Sequence, residues 1–244
     1  MTDLQAILDA GGPWRQARII GGQLLVQGDC REVMAVLPKV DACLTDPPYG
    51  TAEAWQGGFC ASSGWSRQGG MKDKRNAWDA ERPDKKTFDL LRALSKEQII
   101  WGGNYFADLL PPSMRWLTWD KCQRNFTLAD FEMAWTSQNK AARAFNLSRA
   151  KAALDGKDNH ATPKPIALME WCLGFLPDAR TILDPFMGSG TTLVACQRLG
   201  RQGIGIELDP DYFEIACRRV QEAVNNPPLF TPAPPKPTQE AMDI

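Results

Sequence analysis

The 244-residue chain is predicted to be an α/β protein, with a doubly wound, mostly parallel sheet and helices on both faces. Three observations predict it. Strand-like apolar runs alternate with helical stretches from Gln23 to Val224, a pattern that buries a sheet between two helix layers. Two of these runs deliver polar loops at their carboxyl ends, Asp46-Pro47-Pro48-Tyr49 and Asp184-Pro185-Phe186-Met187-Gly188-Ser189-Gly190. The composition, 43% hydrophobic and 23% charged with nine tryptophans, suits a globular chain with a sizeable core.

In order, Gln23 to Gln27 reads as a strand, Arg31 to Leu37 as a short helix and Asp41 to Thr45 as a second strand, a β-α-β opening. From Gly50 to about Lys86 the pattern dissolves into Gly, Ser, Trp and mixed charge, which predicts a long loop and a candidate lid. Lys86 to Ser95 has helical spacing, Gln98 to Trp101 is a buried strand stopped by Gly102-Gly103, and Met114 to Asp120 and Phe131 to Trp135 are further strands. After Ser137 no apolar period persists. Pro163 to Phe175 then reads as an amphipathic helix, Thr181 to Leu183 as a strand and Thr191 to Leu199 as a helix. Gly203 to Ile206 and Pro210 to Val224 close the series, the last helix carrying Phe213, Ala216, Val220 and Val224 on one face. Residues 1–225 are expected to form a single domain with insertions at 51–85 and 138–160. The proline-rich stretch 226–244 is expected to be a disordered tail.

Composition narrows the chemistry. No apolar run approaches the roughly 20 residues of a membrane span, and no signal pattern opens the chain, so a cytoplasmic location is expected. Seven scattered cysteines without a C-x-x-C pair indicate neither a disulfide framework nor a zinc site, and no metal is expected. His160 is the one histidine, which disfavours a Ser-His-Asp triad. The net charge of −1 conceals segments of opposite sign. Lys140, Arg143, Arg149, Lys151, Lys157 and Lys164 outnumber Asp155 and Asp158, whereas Glu207, Asp209, Asp211, Glu214 and Glu222 outnumber Arg218 and Arg219. The first segment could track phosphates, although a solvated basic loop has the same composition.

Asp46-Pro47-Pro48-Tyr49 places a carboxylate, a rigid carbonyl and an aromatic ring within four residues. The prolines fix φ near about −65°, so the carbonyls point where the strand end aims them. Asp46 and the Pro47 carbonyl can each accept one hydrogen of an exocyclic amine, and Tyr49 can stack on the ring that bears it. A strand end followed by an ordinary Pro-Pro turn would have the same residues. The second loop follows a strand and opens a helix, where glycines let backbone N–H groups approach an anionic group. It lacks the Gly-Lys-Ser/Thr of a phosphate-binding loop, the third glycine of G-x-G-x-x-G (replaced by Leu193) and the Gly-x-Ser-x-Gly of a nucleophile elbow. The next strand ends in Glu207, an acid able to accept both hydroxyls of a ribose.

With Gly28-Asp29-Cys30, Ile100-Trp101-Gly102-Gly103-Asn104-Tyr105-Phe106, Phe131-Glu132-Met133-Ala134-Trp135 and His160-Ala161-Thr162-Pro163-Lys164-Pro165, these motifs make the chain resemble the S-adenosylmethionine-dependent DNA amino-methyltransferases. The order is the β-type, with the D-P-P-Y motif before the cofactor loop. The resemblance covers about Leu24 to Val224 and implies a Rossmann-like methyltransferase fold.

It further implies that Asp46, Pro47, Pro48 and Tyr49 are catalytic. It implies that Asp184, Phe186, Gly188, Ser189, Gly190, Thr191 and Thr192 form the cofactor loop, Glu207 binds the ribose and Asp29 accepts from the cofactor's adenine amine. Thr162 and Lys164 resemble the motif that closes over the methionine carboxylate, though Ala161 departs from the usual proline. Asp29 could equally cap the helix after it, Lys164 could be a solvated charge, and Glu207 with Asp209 could favour the following helix N-terminus.

The implied reaction is direct methyl displacement by the N6 amine of an adenine flipped out of double-stranded DNA, yielding S-adenosylhomocysteine. Asp in the first motif position is usual for adenine enzymes; Ser is commoner in the cytosine-N4 enzymes, which are the alternative. A catalytically inactive nucleic-acid-binding relative is a second alternative, and motif order disfavours an RNA methyltransferase. Target recognition would fall between Trp135 and His160, with Lys140, Arg143, Arg149 and Lys151 on DNA, helped by Arg67, Lys72, Lys74 and Arg75. So short a region admits a homodimer, and the family admits a partner restriction nuclease.

Overall fold

Runs such as Leu24-Leu25-Val26 and Ala42-Cys43-Leu44 have no polar face, which suits strands covered by helices on both sides. The computed structural model describes residues 2–50, 82–124, 129–152 and 164–227, and places the second run at the middle of a nine-stranded sheet and the first one strand in from its edge. The chain runs α1 (Leu4–Ala10), β1 (Gln16–Ile20), β2 (Gln23–Gln27), α2 (Cys30–Val36), β3 (Val40–Thr45), α3 (Lys85–Leu94) and β4 (Ser95–Trp101). A 3₁₀ turn (Gly103–Phe106), β5 (Trp116–Asp120), β6 (Phe131–Thr136), β7 (Arg143–Asn146) and α4 (Arg149–Ala152) follow. The series ends with α5 (Ile166–Leu173), β8 (Thr181–Asp184), α6 (Thr191–Arg198), β9 (Gln202–Glu207) and α7 (Pro210–Asn225).

Across the sheet the order is β1-β2-β9-β8-β3-β4-β6-β5-β7. The strands from β2 to β4 are mutually parallel. At one edge β1 is antiparallel to β2, and at the other β6 is antiparallel to both β4 and β5, with β7 parallel to β5. Alternate strand residues feed two apolar layers. Leu25, Leu44, Ile99 and Trp101 pack with Met169, Leu193 and Phe213. Leu24, Val26, Cys43 and Ile100 pack with Val33, Phe88 and Leu91 on the opposite face. Each such side chain contributes about 1.5–3 kcal/mol on burial.

Chain direction diverges between two neighbours, β3 and β8. From β3 the chain crosses through α3 to β4, and from β8 it crosses through α6 to β9, on the other side of the sheet and in the other layer. Their carboxyl ends therefore lie at a topological switch point, where open α/β sheets bind ligands. Two carboxylates fasten the pair. At the carboxyl ends Thr45 Oγ1 donates to Asp184 Oδ1 at 2.7 Å, both groups being buried. At the start of β8 the N–H groups of Arg180 and Thr181 donate to Asp41 Oδ2 at 3.1 Å each, while Lys96 Nζ reaches Asp41 Oδ1 at 2.9 Å.

Most predicted elements appear within one to three residues of their expected bounds. Four were not expected: α1, the edge strand β1, and β7 with α4 inside the basic segment, so that segment is not simply a loop. α5 begins at Ile166, with Pro165 as its N-cap, and ends at Leu173. Its buried face is Ile166, Leu168, Met169, Cys172 and Leu173, while Ala167, Glu170 and Trp171 lie on the half-buried side, so it is one-sided in burial but carries one charged residue only. The expected insertion 51–85 and tail 226–244 lie mostly outside the described residues. Among the described residues no helix is long and apolar enough to cross a membrane, and no cluster of His, Cys, Asp and Glu could hold a metal ion.

Replacing Thr45 by Val keeps the shape and removes the hydroxyl donor to Asp184. Denaturant unfolding of Thr45→Val should show a loss of about 1–3 kcal/mol, the worth of one donor to a buried carboxylate that also accepts from Thr192 and the Phe186 N–H; an unchanged midpoint would contradict the role given to this bond.

Candidate active site

β3 delivers Asp46 and the two prolines beyond its last residue, and the next residue, Tyr49, folds back onto the turn after β4. Gly102 makes room for it. This residue is left-handed, with φ 68°, and a Cβ there would lie 2.1 Å from Tyr49 Cε1. Phe106 meets the Tyr49 ring edge-on at 6.2 Å, and Tyr105 stacks on it at 4.7 Å with planes 14° apart. The ring expected to receive a base thus already carries Tyr105, which is 42% exposed.

The polar end of this site is a chain of charges. Tyr49 Oη donates to Asp46 Oδ1 at 2.5 Å. Lys164 Nζ, its side chain 9% exposed, donates to Asp46 Oδ2, lies 3.3 Å from Tyr49 Oη and 3.1 Å from Glu132 Oε2. Glu132 Oε1 in turn meets Lys121 Nζ at 2.6 Å. Two lysines and two carboxylates balance one another. Burial opposes the Lys164 charge, but Asp46 and Glu132 outweigh it and hold its pKa well above the ordinary lysine value. Burial would likewise raise Glu132, yet Lys164 and Lys121 keep it at about 2. Burial first, and then the Asp46 charge, pushes the Tyr49 phenol well up, so it remains a donor.

The second loop leaves the end of β8, beside β3. Gly190 caps α6 in the left-handed region, at φ 81°, and a Cβ there would lie 2.9 Å from Ala216 Cβ. Arg219 of α7 clamps the loop from behind, its Nη1 donating to Ser189 O at 2.8 Å, Ser189 Oγ at 2.6 Å and Thr191 Oγ1 at 3.2 Å. Asp184 accepts from Thr45, Thr192 and the Phe186 N–H, and burial raises it to about 6 against these bonds. The side chains of Asp184, Ser189, Thr191 and Thr192 thus hold the loop from inside, while Phe186 and Gly188 remain half-exposed.

Glu207, at the end of β9, accepts the Gly188 N–H at 2.9 Å and the Asp209 N–H at 2.8 Å. Burial raises its pKa to about 7 despite those bonds. Asp29 is close by in the fold, because the Gly28 N–H donates to the Glu207 carbonyl at 2.9 Å. Asp29 itself caps α2, accepting the Arg31 N–H at 2.8 Å, and pairs with the Arg31 guanidinium at 2.7 Å. Its capping role is therefore present whatever else it does.

Of the remaining expected residues, Lys164 pairs with Asp46, and Thr162 falls outside the described residues. Lys140 and Lys151 are exposed, Arg143 is half-buried in the edge strand β7, and Arg149 is half-buried in α4. Sequence reasoning assigned no role to Glu132, Lys121, Tyr105 or Arg219. Two signals were available: Glu132 shares a strand face with buried Ala134 and Thr136, and Arg219 lies one helical turn from Ala216 on the apolar face of α7.

A family model for DNA methylases of the N6/N4 class matches residues 101–218. The type II methyltransferase M2.DpnII of Streptococcus pneumoniae is 26% identical over 248 residues, covering 81% of this chain and 89% of that protein. The solved structure of M1.HpyAVI in complex with SAM superposes with a TM-score of 0.51 at 22% identity, covering 80% of this chain and 98% of the other. The cytosine-N4-specific PvuII DNA methyltransferase gives a TM-score of 0.55 at 14% identity, over 87% and 94% of the two chains. These likenesses establish the Rossmann-like methyltransferase architecture expected from the sequence.

Gly102 and Gly200 both have positive φ, 68° and 66°, but only Gly102 has a neighbour within 4 Å of the added carbon. Gly102→Ala should therefore lose at least about 1 kcal/mol more than Gly200→Ala in denaturant unfolding, since the second variant isolates backbone strain from the clash with Tyr49. Equal losses would mean that the Tyr49 ring has another place to go.

Proposed function

The chain belongs to the S-adenosylmethionine-dependent DNA amino-methyltransferases, and from that premise we propose that it methylates the N6 amine of an adenine flipped out of double-stranded DNA. The observation that carries this reading is the adjacency of two unlike loops at one sheet edge. The Asp46-Pro47-Pro48-Tyr49 turn leaves β3, and the glycine turn leaves β8, its hydrogen-bonded parallel neighbour. Asp46 in the first motif position supports adenine over cytosine.

The cofactor's fit rests on Glu207, a half-buried acid beside the loop backbone, and on Gly190, whose missing side chain lets the loop lie against α7. Glu207 would hold the ribose hydroxyls, Asp29 the adenine amine, and the Phe186–Thr192 loop the methionine end. When bound, S-adenosylmethionine supplies an electrophilic methyl group on a sulfonium. The protein's task is then to make a poor nucleophile attack. The lone pair of an aromatic amine is delocalised into its ring; acceptors at Asp46 and the Pro47 carbonyl bind both N–H hydrogens and turn that lone pair out of the ring plane. Flipping costs a few kcal/mol, and stacking on aromatic side chains in the pocket offsets part of it. Lys140, Arg143, Arg149 and Lys151 would follow the phosphates, within one methyltransferase domain spanning residues 1–225.

Incubation with unmethylated DNA followed by nucleoside analysis tests the reading directly. N6-methyladenine is expected; N4-methylcytosine would reassign the base, and neither product would overturn the activity. Asp46→Ala should reduce transfer by at least about 1,000-fold while leaving S-adenosylhomocysteine affinity within about threefold, because the lost acceptor faces the amine and not the cofactor. Measured turnover and calorimetric binding separate the two effects.

A ribose hydroxyl donates to the ionised carboxylate of Glu207, whose free-state pKa lies at about 7. Binding therefore favours loss of the proton, so S-adenosylhomocysteine affinity should rise several-fold from about pH 6 to about pH 8 and then level off. Calorimetry across that range should show the slope in the parent protein and a flat profile in Glu207→Gln.

A further inference from the structure

Asp46 has two carboxylate oxygens, and both are filled: Tyr49 Oη donates to one and Lys164 Nζ to the other. A base amine that donates to Asp46 must displace one of them. Tyr49 is not free to leave, being packed against Gly102, Phe106 and Tyr105. Lys164 is differently placed. Its ammonium is an N–H donor on the same carboxylate that the amine is proposed to use, and a second carboxylate oxygen, Glu132 Oε2, lies only 3.1 Å from it. That oxygen is buried and in ion-pair contact, yet it receives no hydrogen bond, so an acceptor stands ready beside the ammonium. Glu132 is itself held by Lys121, whose side chain is 5% exposed and whose ammonium also lies 5.3 Å from the centre of the Trp119 ring.

Resting on the proposed function, we propose that Lys164 is a placeholder for the target amine and that Glu132 is the positioning residue that takes the ammonium over when the base arrives. The handover breaks one hydrogen bond, Lys164 Nζ to Asp46 Oδ2, and forms one, Lys164 Nζ to Glu132 Oε2. The vacated Asp46 oxygen accepts from the base. No proton changes owner, and the buried group keeps two positive and two negative charges throughout. That constancy matters, because burying one uncompensated charge costs several kcal/mol, whereas moving a paired one over a short distance does not. Before substrate arrives the placeholder also keeps Asp46 hydrogen-bonded in a partly dry site.

The test is Glu132→Gln in the full chain, with steady-state methylation of DNA and calorimetric binding of S-adenosylhomocysteine. Gln leaves Lys164 with Asp46 as its only carboxylate, so the ammonium competes harder with the base. The KM for DNA should rise about tenfold or more while cofactor-product affinity stays within about twofold, and Glu132→Asp should restore most of the loss. An unchanged KM, a fall confined to kcat, or a matching loss of S-adenosylhomocysteine affinity would each overturn the handover. Should Glu132→Gln fail to fold because one positive charge is left in excess, the double variant Lys121→Gln/Glu132→Gln restores the balance and must show the same KM increase; an unchanged KM there overturns the proposal equally. A parent protein that methylates no DNA defeats the functional reading and the handover together, whereas an active parent with an indifferent Glu132 defeats the handover alone.

Discussion

The hydrogen bond from Thr45 to Asp184 joins the last residues of β3 and β8, and the geometry of the site descends from that adjacency. The two strands are far apart in sequence and their crossovers run to opposite sides of the sheet, so nothing in the local chain would bring their ends together. Parallel pairing does so, Asp41 secures the start of β8 to β3, and Thr45 secures the carboxyl ends. Loops that leave two such neighbours must share an edge. The acceptor turn and the glycine turn therefore leave the carboxyl ends of adjacent strands, near enough for the Asp46 charge to act on Asp184.

Their electrostatics differ in kind. At the end of β3 a tyrosine, two carboxylates and two lysines form a balanced group, and Glu132 is held strongly acidic by its cations. At the ends of β8 and β9 the acids Asp184 and Glu207 are stabilised mainly by hydroxyl and backbone donors, and burial raises both. Neutral donors satisfy a carboxylate without cancelling its charge. The β3 side is thus compensated by its lysines, whereas the acids on the glycine-loop side rest on neutral donors. This asymmetry follows from which side chains face each acid.

The two sides also differ in what holds them. Tyr49 is fixed by shape, in a seat that depends on the absence of a side chain at Gly102. The glycine loop is fixed from within by Arg219, Thr45 and Thr192, which leaves its outer surface to backbone, Phe186 and Gly188. Lys164 instead reaches two carboxylates, Asp46 and Glu132, a long side chain with more than one acceptor within range. A packed frame around an ammonium with two acceptors in reach is what the proposed handover requires of a site that keeps its acceptor satisfied when empty and releases it when filled.

How much of this was legible in the sequence follows from which interactions are local. The D-P-P-Y turn, the glycine loop and the buried central strands are written in contiguous residues, and periodicity found them. The edge strand Gln16–Ile20 was not found because it is only half-buried, mixes Gln and Arg with apolar residues, and owes its conformation to pairing with β2. Arg143–Asn146 is a strand for a similar reason, its partner being Leu117–Asp120. The Lys164 position illustrates the same limit within the site. Its motif suggested a place by the cofactor; its partners in the structure are Asp46 and Tyr49 of one turn and Glu132 of a distant strand, which no local pattern links to it. A charge buried by long-range packing leaves one local trace, a polar residue on a face whose neighbours are apolar. Glu132, sharing its face with Ala134 and Thr136, carries that trace.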